Sequence, residues 1–367
     1  MNAVHPVDRL HLERAFGLAR RGWGRVHPNP MVGCVLVRDG AVVGEGWHEQ
    51  YGGPHAERVA LGRAGASARG STAYVSLEPC AHHGKTPPCT DALIDAGVAR
   101  VVYGVADPDR VAAGGAHRLA EAGVDVVGPV FGPDRGRQEN PLFFHAREAG
   151  GPFVALKLAM GLDGRLSERS GAPSRVTGPE ARAEAHRLRA GYDAVAVGIG
   201  TVLADDPLLT VREGPVHPRV PPARVVLDSA LRVPATARLL ADVATLPLHV
   251  FAAADAAPEA EARLTERGVS VHRVPRGASG ALQLGAVLDT CARLGLTSVF
   301  FEGGGRLGTS LLAEGRVDRL HLFLAPRFLG PLGTPAFGEA LTPSGWRPVE
   351  EPRTLGRDLL LTLEPER

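Results

Sequence analysis

The run TAYVSLEPCAHHGKTPPCTDALIDA, residues 72–96, decides the fold of the first half of the chain. Residues 72–79 are rich in β-branched and aromatic side chains and read as a strand, while residues 89–96 read as a helix. The loop between them carries Cys80, His82, His83 and Lys85, and Cys89 opens the helix, where the positive dipole end favours a thiolate. Upstream, His55-Ala56-Glu57 begins a helix running to about Gly65. One imidazole and two thiolates, His55, Cys80 and Cys89, form a three-ligand set with the fourth position left for water, the layout of catalytic rather than structural zinc. Zinc lowers the pKa of such a water. Glu57, two positions from a ligand on the first helical turn, can point into the same cleft without coordinating and carry protons there.

The order His-x-Glu, Pro-Cys, Cys follows the signature of zinc nucleobase deaminases. It departs in one respect: eight residues, AHHGKTPP, separate the cysteines where two are usual. That insertion offers His82 and His83 as alternative ligands.

Outward from this site, the first 130 residues alternate helix and strand patterns. Asp8 is expected to cap a helix through Arg20 that stops at Gly22, and VGCVLV and AVVGEGW, joined by Asp39-Gly40, read as a hairpin. A strand over 100–106, a helix over about 111–122 and a short strand VDVV complete a layered α/β domain. The stretch 128–151, rich in Gly, Pro and charge, reads as a separator, giving domains 1–149 and 150–367. The second half again alternates strands and helices, which implies a largely parallel core of nucleotide-binding size.

Composition narrows the function classes. A chain of 367 residues, 44% hydrophobic and 22% charged with net charge +1, fits two soluble domains and carries no basic excess for nucleic acid or a membrane surface. No apolar run long enough for a membrane helix occurs, and the first residues lack a secretion-signal pattern, so the expected compartment is the cytoplasm. Four cysteines are too few for a disulfide framework in a chain of this length. Of 41 basic residues only two, Lys85 and Lys157, are lysine, so a compact ammonium at these positions calls for a chemical reason. Asparagine is nearly as scarce, which draws attention to Asn29 in HPNP.

PNPMVGCV, EGWHEQYGGPHAE and LEPCAHHGKTPPC resemble the deaminase domain of the bifunctional riboflavin-biosynthesis deaminase-reductases, in which the eight-residue spacing and the GKTPPC ending recur. LKLAMGLDGR, VTGPEAR, HRLRAGYDAVAVGIGTVLADDPLLTVR, RVVLDSALR and FFEGGG resemble, in order, the reductase domain of the same family, so the likeness runs from about Leu10 to Leu361. It implies a cytidine-deaminase-like α/β/α domain followed by a dihydrofolate-reductase-like α/β domain. It also implies two reactions: hydrolytic deamination of a diaminopyrimidinone carrying a phosphoribosylamino group, then NADPH-dependent reduction of its ribosyl group to ribityl. By the resemblance, zinc is held by His55, Cys80 and Cys89 with Glu57 as proton shuttle, and Asn29, His48, His82 and Lys85 line the pyrimidine and ribose-phosphate pocket. Its implied partners are small phosphoribosylaminopyrimidines and other copies of the chain, with no nucleic acid and no membrane.

In the second half, SVFFEGGGRLGTSLL places Gly303, Gly305 and Gly308 in a G-x-G-x-x-G pattern between a strand and a helix, a turn whose backbone N–H groups can approach a pyrophosphate. By itself this pattern also fits an ordinary tight turn. The resemblance implies that Pro173, Arg189, Leu209, Arg212 and Glu302 contact substrate, and that Ala159, Arg175, Thr201, Asp205, Ser229, Gly304, Gly305, Arg306, Leu307 and Gly308 hold NADPH. Lys157 and Asp205 are the candidates for handling protons near the ribose, and guanidinium forks at Arg189 and Arg212 suit a phosphate. Asp205-Asp206-Pro207 taken alone reads as a helix-free turn before a strand. Three positions depart from the family pattern: Gly161 stands where Ser or Thr is usual, Pro173 where a substrate-contacting Ser is usual, and Arg175 where Trp is common. The residues therefore leave open a zinc deaminase with an altered reductase domain. A deaminase of nucleic acid is a further reading, which the balanced charge and sparse aromatics disfavour.

Overall fold

The computed structural model describes residues 4–83, 87–173, 175–277, 279–339, 341–342 and 344–366. It divides into two compact units, Met1–Ala149 and Gly150–Arg367. Among the described residues no helix is long and apolar enough to cross a membrane.

The first unit runs α1 (Pro6–Ala19), β1 (Gly33–Arg38), β2 (Ala41–Trp47), α2 (Ala56–Ala64), β3 (Thr72–Leu77), α3 (Cys89–Asp95), β4 (Arg100–Val105), α4 (Gly115–Glu121), β5 (Asp125–Val127), α5 (Pro133–Glu139) and α6 (Pro141–Glu148). Its five strands lie in the order β2-β1-β3-β4-β5. β1 pairs antiparallel with β2 and β3, and β4 pairs parallel with β3 and β5. Asp39 and Gly40 take φ of 51° and 76°, the backbone that a two-residue hairpin turn between twisted strands needs. Apolar residues of β1, β3 and β4 alternate between two cores. Val35, Tyr74 and Val102 meet α1 on one face, and Cys34, Val75 and Val101 meet α2 and α3 on the other.

Three local expectations are corrected here. Asp8 does not cap α1; the cap is His5, and Asp8 is the third residue of the helix, accepting the His5 N–H (2.9 Å) and pairing with Arg100 (2.9 Å). The helix expected over 111–122 begins only at Gly115, because Glu78 Oε1 accepts the N–H groups of Gly114 and Ala116 and fixes the start there. The separator 128–151 contains α5 and α6, whose Phe143 and Phe144 join the first core. Pro133 and Pro141 are the opening residues of these helices, where proline loses no hydrogen bond.

The second unit runs β6 (Phe153–Met160), α7 (Pro179–Arg189), β7 (Ala194–Gly198), α8 (Ile199–Asp205), β8 (Ala223–Leu227), β9 (Leu248–Ala253), α9 (Pro258–Thr265), β10 (Ser270–Val274), α10 (Leu284–Arg293), β11 (Ser298–Glu302), α11 (Gly305–Ala313), β12 (Arg319–Leu324), β13 (Trp346–Pro348), β14 (Arg353–Leu355) and β15 (Asp358–Pro365). Its ten-stranded sheet has the order β10-β9-β8-β7-β11-β6-β12-β15-β13, with β14 also on β15. Strands β6 to β12 are parallel to their neighbours, and β15 returns antiparallel against β12. Asp205 and Asp206 do not precede a strand: Asp205 is the last residue of α8, and Asp206 ends that helix at φ 41° with its carboxylate accepting the Arg238 N–H.

Candidate active sites

In the first unit the strand-loop-helix of residues 72–96 brings Cys80 and Cys89 to the start of α2. His55 is the residue capping α2, in extended conformation, so its imidazole projects from the helix end. Its Nδ1 lies 3.6 Å from Cys80 Sγ and 3.3 Å from Cys89 Sγ, and the Cys89 N–H points at Cys80 Sγ over 3.4 Å. Among the described residues these three form the cluster able to hold a metal; neither His82 nor His83 joins it. Zinc fits. Tetrahedral bonds of about 2.3 Å to sulfur and about 2.0 Å to nitrogen place the two donor atoms roughly 3.5 Å apart, which both measured separations approach.

Glu57, the second residue of α2 and 3% exposed, lines the same cavity of about 200 Å³ as His55 and Cys80. Burial, then the adjoining Cys80 sulfur, pushes its carboxyl above the ordinary value despite the opposing effect of His55. A carboxyl raised in this way takes up and releases a proton more readily near neutral pH.

Asn29 and His48 stand beside the cluster. His48 Nδ1 bonds the Pro54 carbonyl (3.0 Å), so Nδ1 carries the proton, and Nε2 is left to accept from the Asn29 amide (3.3 Å). Burial holds this imidazole neutral, with the facing His55 ring, 5.2 Å away, acting in the same sense. His82 also lines the cavity, and its Nδ1 is buried without a hydrogen-bond partner among the described residues. Lys85 lies outside the described residues.

The cavity also contains groups that the sequence did not single out: Glu78, Asp107, Asp109, Phe143 and Arg147. Arg147 reaches Asp109 (3.2 Å) and lies over the Phe143 ring (3.7 Å to its centre). Asp107 accepts the Asp109 N–H, and burial, with Asp109 and Glu78 adding to it, raises its carboxyl to about 7. Asn140, another of the scarce asparagines, is buried at the α5–α6 junction. It accepts the Met31 N–H (2.6 Å) and donates to the Met31 carbonyl (2.9 Å), fixing the chain two residues after Asn29.

In the second unit the candidate residues gather at the C-terminal ends of the adjacent parallel strands β8, β7, β11 and β6, the usual ligand edge of such a sheet. Lys157 and Ala159 are on β6, Thr201 and Asp205 on α8 after β7, Ser229 just beyond β8, and Glu302 ends β11 in register with Lys157. Gly303 takes φ 141°, open to glycine alone, and a Cβ there would come within 3.0 Å of Thr201 Oγ1. Gly304 precedes α11 with open space around it. At Gly305 a Cβ would meet the Pro335 carbonyl at 2.0 Å, so the helix start packs tightly on that segment. Gly308 is buried in α11, Leu307 is half-buried, and Arg306 is exposed. The turn therefore offers the first N–H groups of α11 to an anion, which fits the pyrophosphate of a dinucleotide.

Arg189 forms a two-pronged pair with Glu302, Nη2 to Oε2 at 2.7 Å and Nε to Oε1, and gives its remaining prong to the Thr210 carbonyl (2.9 Å). Here it serves the carboxylate, while Arg212 is an exposed residue. Burial pushes the Glu302 carboxyl up, but Arg189 and Lys157 outweigh it and hold it at about 2. Burial lowers the Lys157 ammonium from its ordinary value, with Glu302 opposing, and its Nζ lies 5.5 Å from the centre of the Phe323 ring. Leu209 is buried at φ 55°. Pro173 and Arg175 are exposed in the loop before α7. At Gly161 a Cβ would sit 2.7 Å from the Arg327 carbonyl, so the missing hydroxyl accompanies a loop packed directly on the backbone.

A cytidine-deaminase-like unit with a His-Cys-Cys cluster, on one chain with a dihydrofolate-reductase-like unit, defines a zinc-dependent, two-domain α/β enzyme. Residues 6–105 match the family model described as the cytidine and deoxycytidylate deaminase zinc-binding region, and residues 152–360 match that of the RibD C-terminal domain. The chain is 38% identical over 367 residues to the riboflavin biosynthesis protein RibD of Aquifex aeolicus, with 98% of each covered. It is 40% identical over 334 residues to RibD of Escherichia coli strain K12, covering 88% of this chain and 89% of that one. RibD of Acinetobacter baumannii superposes with a TM-score of 0.81 at 35% identity, covering 98% and 99% of the two chains. A Thermotoga maritima structure described as a diaminohydroxyphosphoribosylaminopyrimidine deaminase/5-amino-6-(5-phosphoribosylamino)uracil reductase gives 0.78 at 31% identity over the same shares. The chain belongs to the RibD family of riboflavin-biosynthesis proteins.

Proposed function

We propose that residues 1–149 deaminate a phosphoribosylaminopyrimidine and that residues 150–367 reduce the ribosyl group of the product with NADPH. The observation that carries the reading is the convergence of His55, Cys80 and Cys89 beside buried Glu57 in one cavity. When bound, zinc supplies Lewis acidity that makes a water nucleophilic at neutral pH. Glu57 carries the two protons of the attacking water in turn, one to the ring nitrogen and one to the departing amine, so that a C–O bond forms, the C–N bond breaks and ammonia leaves. Asn29 and His48, locked to each other and to the Pro54 carbonyl, orient the ring, and His82 and Lys85 complete the pocket.

In the second unit the opened ribose accepts hydride at C1′ from NADPH and a proton, giving the ribityl chain and NADP+. Gly304, Gly305, Arg306, Leu307 and Gly308, with Ala159, Arg175, Thr201, Asp205 and Ser229, hold the dinucleotide. Lys157 and Asp205 make hydrogen bonds and handle protons near the ribose, Glu302 fixes Arg189 beside them, and Arg212, Leu209 and Pro173 meet the substrate. The enzyme works in the cytoplasm as a homo-oligomer on small molecules.

The test is Glu57→Gln. Ammonia release is expected to fall by about 10²- to 10⁴-fold, the usual worth of a general acid-base, while NADPH oxidation on the already deaminated substrate stays at the parental rate. Joint loss of both activities in a folded protein contradicts the two-site assignment.

A further inference from the structure

Helix α7 presents His186 and Arg189 one turn apart, and both grip the segment that follows α8. Arg189 Nη1 donates to the Thr210 carbonyl (2.9 Å), and two residues on the Arg212 N–H donates to His186 Nδ1 (3.2 Å). Directly before them Leu209 is buried at φ 55°, a backbone conformation that persists in a side-chain-bearing residue only where surrounding contacts over-determine it. These two bonds are such contacts. Arg212 further closes on the segment through its own Nη1, which donates to Thr210 Oγ1 (2.8 Å).

We infer that His186 is a positioning residue of the reductase site, holding the Leu209–Arg212 segment through the Arg212 N–H so that Arg212 is presented to the anionic end of the substrate. This rests on the proposed placing of Leu209 and Arg212 at the substrate. His186 itself is 6% exposed and acts only through the segment. Because Nδ1 accepts, the ring proton sits on Nε2 and the imidazole is neutral. The surroundings favour that state. Burial, then Arg189 on its own helix and Arg212 on the segment, lower its pKa to about 4 against the opposing carboxylates of Glu213 and Glu302.

The experiment compares His186→Ala and His186→Gln in the full chain, since the Gln amide oxygen can accept the same N–H. In His186→Ala, KM for the deaminated phosphoribosylaminopyrimidine rises roughly three- to tenfold with kcat within about twofold, the loss of one buried hydrogen bond expressed as binding. Amide hydrogen exchange of residues 209–213 accelerates by a similar factor, and deamination by the same protein is unchanged. His186→Gln restores both values to within about twofold of the parent. An unchanged KM and exchange rate in His186→Ala, or failure of Gln to rescue, overturns the inference. If the parent chain consumes no NADPH, the reductase reading itself falls and the substrate role assigned to His186 falls with it, while the exchange rates still decide the anchoring.

Discussion

Glu302→Gln keeps the shape of the side chain and removes the charge that faces Arg189 and Lys157. The carboxyl is held at about 2 against an ordinary 4.5. At about 1.4 kcal/mol per pH unit this gap is worth on the order of 3 kcal/mol, which agrees with the roughly 3–5 kcal/mol cost of breaking a buried pair from one side. A lowered carboxylate pKa contributes stability that is complete above the unfolded value and is lost as pH falls through the folded one. The difference between parent and variant is therefore full at pH 7 and at pH 5, and shrinks from about pH 4.5 towards pH 2. Urea unfolding followed by hydrogen exchange of peptides from residues 150–367 reads the second unit separately from the first. A difference below about 1 kcal/mol at pH 7, or one that disappears between pH 7 and pH 5, refutes the idea that the two cations hold this carboxylate.

Three other outcomes follow from the geometry. Gly303→Ala forces a residue with a Cβ into φ 141° against Thr201 Oγ1 and raises KM for NADPH without touching ammonia release, measured by steady-state kinetics of both reactions. Asn140→Ala removes both bonds to Met31, destabilises the first unit by roughly 1–3 kcal/mol and lowers deamination, with NADPH oxidation unchanged. Asp107, raised by burial to about 7, costs the fold nothing below its ordinary 3.8 and most above 7. Asp107→Asn is accordingly more stable than the parent at pH 8 and equal to it near pH 3.5, as read by urea unfolding of residues 1–149.

The zinc cluster is legible in the sequence because metal chemistry restricts each position to a few donor types at helix and strand ends, and His55, Cys80 and Cys89 supply them in order. The scarcity of lysine and asparagine carries further information: Lys157 stands in register with Glu302, Asn29 bonds His48 in the cavity, and Asn140 holds the backbone of Met31. What the sequence hides is tertiary. Asp107, Asp109, Phe143 and Arg147 reach the first cavity from β4's end and α6, with no spacing that links them to His55. Helices α5 and α6 are hidden because their glycines and prolines read as a linker, although Pro133 and Pro141 occupy the opening positions that tolerate proline. Arg189 has the right chemistry for a phosphate, and only the fold reveals that Glu302 occupies its fork.

Gly161, Pro173 and Arg175 stand in the reductase half in place of the usual residues, so reduction is the activity of this two-reaction chain to measure directly. The direct measurement is NADPH consumption by the purified, zinc-loaded protein supplied with the deaminated phosphoribosylaminouracil. One NADPH is expected to be oxidised per ribityl product formed. Absence of oxidation, with the fold intact and ammonia release from the diamino substrate normal, contradicts it and leaves a deaminase joined to a unit without reductase chemistry.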